Sequence, residues 1–197
     1  MFRNKLQTGL ITLLSGNGLN PLAIWGKKGK GYIKRITDDE LQALVVEITA
    51  VQFVTTYVSL PRQPRSSIGV RLPYLTLIIK YLKLPFCFEF AVLDSRMVKR
   101  RFRASNCQSK VSVTPLLCHM PLALDDGWNK IQINLATFTK QAYDSQFIEF
   151  VSIEIYANCR VRLIYFSDRI YSDEELPLSY KACKRPGKSH TAKGQRT

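Results

Sequence analysis

Phe150-Val-Ser-Ile-Glu-Ile-Tyr-Ala-Asn-Cys-Arg-Val-Arg-Leu163 is the stretch on which the fold reading turns. In its first half Val151, Ile153 and Ile155 alternate with Ser152, Glu154 and Tyr156. In its second half Cys159, Val161 and Leu163 alternate with Arg160 and Arg162. Successive side chains of a strand point to opposite faces, so a period of two marks a strand with one face buried. Ala157-Asn158 between the runs reads as the turn of a hairpin that pairs them.

The same pattern spreads outward. Ile131, Ile133 and Leu135 alternate with Gln132 and Asn134, and Phe88, Phe90 and Val92 flank Glu89 and its neighbours. The apolar stretch Leu72 to Leu84 reads as a further strand, because only Lys83 to Pro85 separate it from Phe86 to Leu93. Leu10 to Leu14 is expected to be the first core strand. It is short for a signal peptide, and no small-residue cleavage site follows it. Asp125-Asp126-Gly127 and Gly26 to Gly31 break the chain as turns or loops. A short helix is predicted over Ala136 to Tyr143, capped by Asn134 or Thr137, with Leu135, Phe138 and Ala142 at helical spacing. Many short strands with frequent turns predict an all-β, antiparallel β-sandwich carrying one or two short helices. No stretch approaches the roughly 20 apolar residues of a membrane-spanning helix.

At 197 residues the chain is the size of a single domain, expected here over 1–177. From Leu178 to Thr197 it holds Lys181, Lys184, Arg185, Lys188, Lys193 and Arg196 and no acid, which predicts a disordered basic tail over 178–197.

Charge is the unusual property. Lys plus Arg number 29 against 15 for Asp plus Glu, a net charge of +14. Without the tail the remainder still carries +8. Such an excess points to a polyanionic partner: nucleic acid, an anionic membrane or an acidic protein surface. The densest cluster is Arg96-Met-Val-Lys-Arg-Arg-Phe-Arg103. On a strand, Lys99, Arg101 and Arg103 would share a face at intervals of about 7 Å. They would form either a cationic ridge with Arg100 beside it, or one side of cross-strand pairs with Glu89 or Glu154. Lys27 and Lys28, Lys34 and Arg35, and Arg160 and Arg162 complete the candidate binding residues. Only Phe102 interrupts the ridge, and there is no RNP motif, helix-turn-helix pattern or zinc finger, so a nucleic-acid partner is the weaker alternative.

Residues that would carry chemistry do not fall into working patterns. Cys87, Cys107, Cys118, Cys159 and Cys183 include no C-x-x-C pair, which predicts neither a disulfide framework nor a zinc site but a reduced intracellular protein. Cys118 and His119 are neighbours, and neighbours on a strand face opposite ways. Asp125 and Asp126 are turn residues, and Gly31 is followed by Tyr32 where a phosphate loop needs Ser or Thr after Gly-Lys. Trp25 and Trp128 are expected in the core, each indole N–H bonded to a backbone carbonyl; exposed on a sheet, they would instead suit a sugar. No catalytic residue, metal or cofactor is expected, and the chain is read as no enzyme.

Three stretches carry a family resemblance: Val98-Lys-Arg-Arg-Phe-Arg-Ala-Ser-Asn106, Leu124-Asp-Asp-Gly-Trp-Asn129 and Ala157-Asn-Cys-Arg-Val-Arg-Leu-Ile-Tyr-Phe-Ser-Asp-Arg-Ile-Tyr-Ser172. Met1-Phe2, Pro21-Leu-Ala-Ile-Trp25, Ile33-Lys-Arg-Ile-Thr-Asp38 and Glu174-Glu-Leu-Pro177 add to them. Together they resemble the cilia- and flagella-associated protein 20 family from Met1 to about Pro177. The resemblance implies a jelly-roll β-sandwich with a structural role at the inner junction of axonemal doublet microtubules. There the family joins the B-tubule to the A-tubule beside the parkin co-regulated protein. It also implies association with basal bodies and a part in ciliary length and beating. Tubulin would be the polyanionic partner, and no membrane is implied. The chain departs from the family pattern at Gly16 to Asn20, Gly26 to Gly31, Leu60 to Ser67, Cys107 and Leu163, which points to a paralog specialised to one cell type, such as sperm.

Overall fold

The computed structural model describes residues 1–63 and 66–181. In chain order the strands are β1 (Leu10–Ser15), β2 (Gly26–Lys28), β3 (Tyr32–Asp38), β4 (Ala43–Thr49), β5 (Tyr57–Leu60), β6 (Tyr74–Tyr81), β7 (Cys87–Asp94), β8 (Lys99–Ser105), β9 (Ser112–Val113), β10 (Leu117–Pro121), β11 (Gly127–Asn134), β12 (Phe147–Tyr156) and β13 (Cys159–Ser167). They form two sheets packed face to face, the jelly-roll-like sandwich expected. The back sheet runs β11-β6-β13-β4-β3, with β1 also on β13. The front sheet runs β2-β5-β12-β7-β8-β10-β9. Pairing is antiparallel except between β10 and β8.

The deciding stretch does form two strands, but they do not pair with each other. β12 lies in the front sheet between β5 and β7, and β13 lies in the back sheet between β6 and the β1/β4 edge. Ala157-Asn158 therefore carries the chain across the sandwich instead of closing a hairpin. Both residues are buried, and Asn158 Oδ1 accepts the Ala50 amide at 2.8 Å. Local turn chemistry cannot distinguish the two outcomes, because what places β13 is the apolar surface on both of its sides. Cys159, Val161, Ile164 and Phe166 are in the core, while Leu163 and Tyr165 pack with Ile78 on the opposite face.

Bulges adjust which side chains face inward. In β12 the register shifts between Phe150 and Ser152, so Phe150, Ile153 and Ile155 are all fully buried and Val151 is not. In β13 it shifts between Val161 and Leu163, at Arg162. The core is an aromatic stack spanning both sheets. Phe90 lies 5.0 Å from Phe102 and 5.9 Å from Phe150, and Phe150 meets Phe166 edge-on at 4.8 Å.

β1 (Leu10–Ser15) pairs with β13 from Leu163 to Ser167, and β4 pairs with it from Cys159 to Val161. Gly16 is the handover point. A Cβ there would stand 2.2 Å from the Leu44 carbonyl oxygen, so glycine is required by close backbone approach. Beyond this point the tip of the β3–β4 hairpin leaves the sheet and folds across its outer face, where Asp38 reaches β13, β6 and β11.

The helix α1 (Leu135–Tyr143) forms as predicted. Asn134 is the N-cap, its Oδ1 accepting the Thr137 amide, and Leu135 is buried. Structure continues past Pro177. Leu178–Tyr180 form a short 3-10 turn, and Tyr180 stacks edge-on against Tyr165 at 5.1 Å. The first residues of the expected tail thus touch the domain, through a contact between residues too distant in sequence to read locally. The rest of that expectation, 182–197, lies outside the described residues.

Candidate functional site: the cationic surfaces

The predicted basic residues divide among three surfaces. Lys34 and Arg160 lie on the outer face of the back sheet in a cross-strand row with Glu47 and Lys80. Lys99, Arg101 and Arg103 share the outer face of the front sheet on β8. Lys27 and Lys28 are on β2, four strands from β8, or roughly 19 Å at ordinary strand spacing. They do not make one patch.

On the back sheet the cations are matched by acids. Arg160 donates to Glu47 at 2.8 Å and to Asp38 at 2.7 Å; Lys80 bonds Asp38 at 3.1 Å and Glu40 at 3.2 Å; Lys34 lies 3.7 Å from Glu47. Asp38 is fully buried and also accepts the Trp128 indole N–H at 3.2 Å. Burial alone would raise its pKa. The hydrogen bonds from Arg160, then Lys80, the Leu41 amide and Trp128, outweigh it and hold the carboxyl at about 2. This is an internal network, and it takes Arg160 out of the candidate contact set. Arg162 is corrected more firmly. It sits at the β13 bulge, 6% exposed.

The front face of β8 is a half-neutralised ridge. Glu89 on β7 lies 3.4 Å from Arg101 and 3.8 Å from Arg103. The Arg103 guanidinium also covers the Tyr156 ring, and Tyr156 donates to Glu154 at 2.7 Å. Burial raises the Glu89 pKa; Arg101 opposes this, and Glu154, directly across the strands, adds to it. The expected cross-strand pairing is thus present, and Lys99 is left exposed with no acid against it among the described residues.

Arg100 is not a surface residue. Alternation turns it inward, where it is 8% exposed, donates to buried Asp94 at 2.7 Å and to the Pro115 carbonyl, and lies over the Tyr143 ring. Arg100→Ala is expected to cost about 1–3 kcal/mol, since Asp94 would keep its bonds from Ser145, the Arg96 amide and the Val98 amide. Lys99→Ala should stay within about 0.5 kcal/mol. Urea unfolding of the two variants checks the assignment of one to the interior and the other to the surface.

At the β2 edge, positive charge is also left without an acid among the described residues. Lys27 and Lys28 are exposed, Lys28 lying over the Tyr57 ring, and β2 ends the front sheet. A cavity of about 530 Å³ opens beside it, lined by Lys27, Lys28, Arg62, Ser59 and Asn20 and, among the described residues, by no acid. Arg62 escaped sequence reading because it is isolated in a loop; β5 carries it to β2. Arg35 differs again, its Nε donating to the Gly16 carbonyl at 3.0 Å.

Other candidates resolve by geometry. Cys118 points into the core and His119 outward, as alternation requires. Burial pushes the Cys87 thiol up to about 11, against the opposing charge of Arg103. Trp25 is buried, with its indole N–H bonded to the Leu13 carbonyl at 3.1 Å. Trp128 is not core as expected. It lies half-buried on the back face, fixed by Asp38 and covered by Lys80. The two tryptophans therefore provide no shared platform for a sugar.

Residues 1–184 match the CFA20 domain. The chain is 50% identical over 182 residues to the cilia- and flagella-associated protein 20 of Paramecium tetraurelia, covering 92% of this chain and 95% of that protein. It is likewise 50% identical over 182 residues to the protein of that name from Chlamydomonas reinhardtii, covering 92% and 96%. Among solved structures it is similar to a family 11 carbohydrate-binding module of Clostridium thermocellum, at 14% identity and a TM-score of 0.44, covering 85% of this chain and 99% of that one.

Proposed function

The chain belongs to the CFA20 domain family, and from that premise we propose that it is a non-enzymatic structural protein of the cilium or flagellum. It docks on the acidic surface of axonemal doublet microtubules. Within the axoneme it occupies the inner junction, where it links A- and B-tubules beside the parkin co-regulated protein and supports stability and motility. Basal bodies are a further location, and its departures from the family pattern fit restriction to one cell type.

The observation that carries this reading is half-identity over nearly the full length to two proteins named for cilia and flagella. The surface supports it. A stiff sandwich holds Lys27, Lys28, Lys34, Lys99 and Arg101 in exposed positions. Cations on a folded frame lose little freedom on meeting carboxylates, and many modest contacts multiply along a repeating lattice. The buried acids Asp38, Asp94 and Glu149 are engaged by Arg160, Arg100 and Arg3 in holding the fold together, a structural use of charge.

Co-sedimentation of the purified protein with microtubules and, separately, with RNA tests the reading. Pelleting with microtubules is expected at low ionic strength and is expected to fall as salt passes about 0.1 M, where the screening length is about 10 Å. RNA binding with no microtubule pelleting would replace this proposal with the nucleic-acid alternative.

A further inference from the structure

Lysines on an edge strand have a common role in discouraging sheet-to-sheet aggregation. That accounts for Lys27 and Lys28 but not for what surrounds them. β2 is three residues long, pairs only with β5, and leaves its other backbone edge without a strand among the described residues. At one end is the cavity where Arg62 joins the two lysines. At the other, past Gly29, is a larger cavity of about 1010 Å³. Its walls are mainly apolar, with Val51, Phe53, Leu84 and Tyr32 among them, and no acid among the described residues. Val51 and Tyr32 are largely exposed and Leu84 about half exposed, so the apolar ground extends to the rim. Exposed apolar patches with a polar border mark places where another molecule sits.

We infer that the β2 edge binds an extended acidic peptide segment. The segment adds as a strand beside Gly26–Lys28, sets carboxylates against Lys27, Lys28 and Arg62, and lodges an apolar side chain in the cavity between Tyr32, Phe53 and Leu84. Strand addition gives backbone hydrogen bonds as the base of affinity, and the flanking pockets select the side chains. Charge complementarity fixes the occupant. Among the described residues Lys27, Lys28 and Arg62 stand together with no acid against them, whereas Arg160 and Lys80 on the back sheet and Arg101 and Arg103 on β8 are paired with acids. At about 3.3 Å per residue, a segment of about five to seven residues reaches from one cavity to the other. The inference deepens the function proposed above by naming one surface, and it rests on that reading for the acidity of the partner.

The test uses the full chain, labelled with ¹⁵N, at low salt. The probe is a synthetic peptide with glutamates at alternate positions and a terminal phenylalanine. Amide shifts confined to residues 26–32, 49–53 and 57–62 are expected. The double variant Lys27→Glu/Arg62→Glu is expected to weaken binding about ten-fold or more, or about 1.4 kcal/mol. Its own spectrum should be otherwise unchanged, because both side chains are exposed. Lys110→Glu, near β9 at the other end of the front sheet, is expected to bind normally. Equal binding of a peptide with glutamine in place of glutamate, or equal binding by the double variant, overturns the inference, as does absence of binding. Wild-type pelleting with microtubules separates the two claims. Pelleting without peptide binding leaves the proposed function and removes this site. Peptide binding at β2 without pelleting leaves the site and removes the microtubule reading.

Discussion

Asp38→Ala is expected to destabilise the fold by about 3 kcal/mol, because it removes the shared partner of a buried charge network. Asp38 is fully buried and accepts hydrogen bonds from Arg160 on β13, Lys80 on β6 and Trp128 on β11, as well as from the Glu40 and Leu41 amides. Its loss would free the folded-over tip of the β3–β4 hairpin and the indole that anchors it. Arg160 would keep Glu47 and Lys80 would keep Glu40, which holds the cost to the low end for a broken buried pair. For a domain of this size the melting temperature should fall by about 6–12 °C. Asp38→Asn, which keeps one accepting oxygen and the shape, should lose less.

The same carboxylate makes a pH prediction. Its folded pKa is about 2, against an unfolded value near 3.9. The native state therefore favours the charged form, and the stabilisation is fully present above pH of about 4. It is lost as pH falls toward 2, to the extent of about 2–3 kcal/mol. The difference in stability between wild type and Asp38→Ala should shrink over that window. A difference that stays constant from pH 6 to pH 2 would show that Asp38 is not the charged hub of this face. Taking the difference cancels the acid sensitivity that Asp94 and Glu149, also held low, impose on both proteins.

Phe90→Ala is expected to cost about 3–5 kcal/mol, the usual range for truncating a fully enclosed phenylalanine. Phe90 stands at the centre of the inter-sheet stack, with Phe102 at 5.0 Å, Phe150 at 5.9 Å and Phe88 at 6.3 Å. These partners come from β8, β12 and β7 itself, so the cavity would be walled by strands that already pair with one another and cannot collapse inward. Phe90→Leu, which restores most of the volume, should recover much of the loss. Urea denaturation with an unchanged m-value would confirm a pure stability effect. A loss under 1 kcal/mol would mean the core repacks far more readily than a stacked sandwich should.

Most strands were legible in the sequence because alternation is a local property. Ile131 to Leu135, Phe88 to Val92 and Leu10 to Leu14 announced themselves by period or by apolar run, and the Asn134 cap identified the helix. The pairing of Glu89 with the β8 cations was also readable, since facing residues in neighbouring strands follow from simple alternation. Some members of the predicted contact set were misjudged because exposure is not local. Arg100 and Arg162 look like surface cations in the chain, yet one is turned inward onto Asp94 and the other lies at a bulge.

The sequence alone determined that this chain folds as a one-sided strand protein with surplus positive charge, and its motifs placed it in a family. Those are matters of period, composition and identity, all carried by neighbours along the chain. Tertiary structure decided which sheet each strand joined, so that Ala157-Asn158 became a crossing instead of a hairpin. It also decided which cations are paired. Acids from β3, β4 and β7 meet Arg160, Lys80, Lys34, Arg101 and Arg103, while β5 brings Arg62 to the unpaired lysines of β2. Charge compensation acts through space, and a linear sequence does not record which opposite charge will stand within 4 Å.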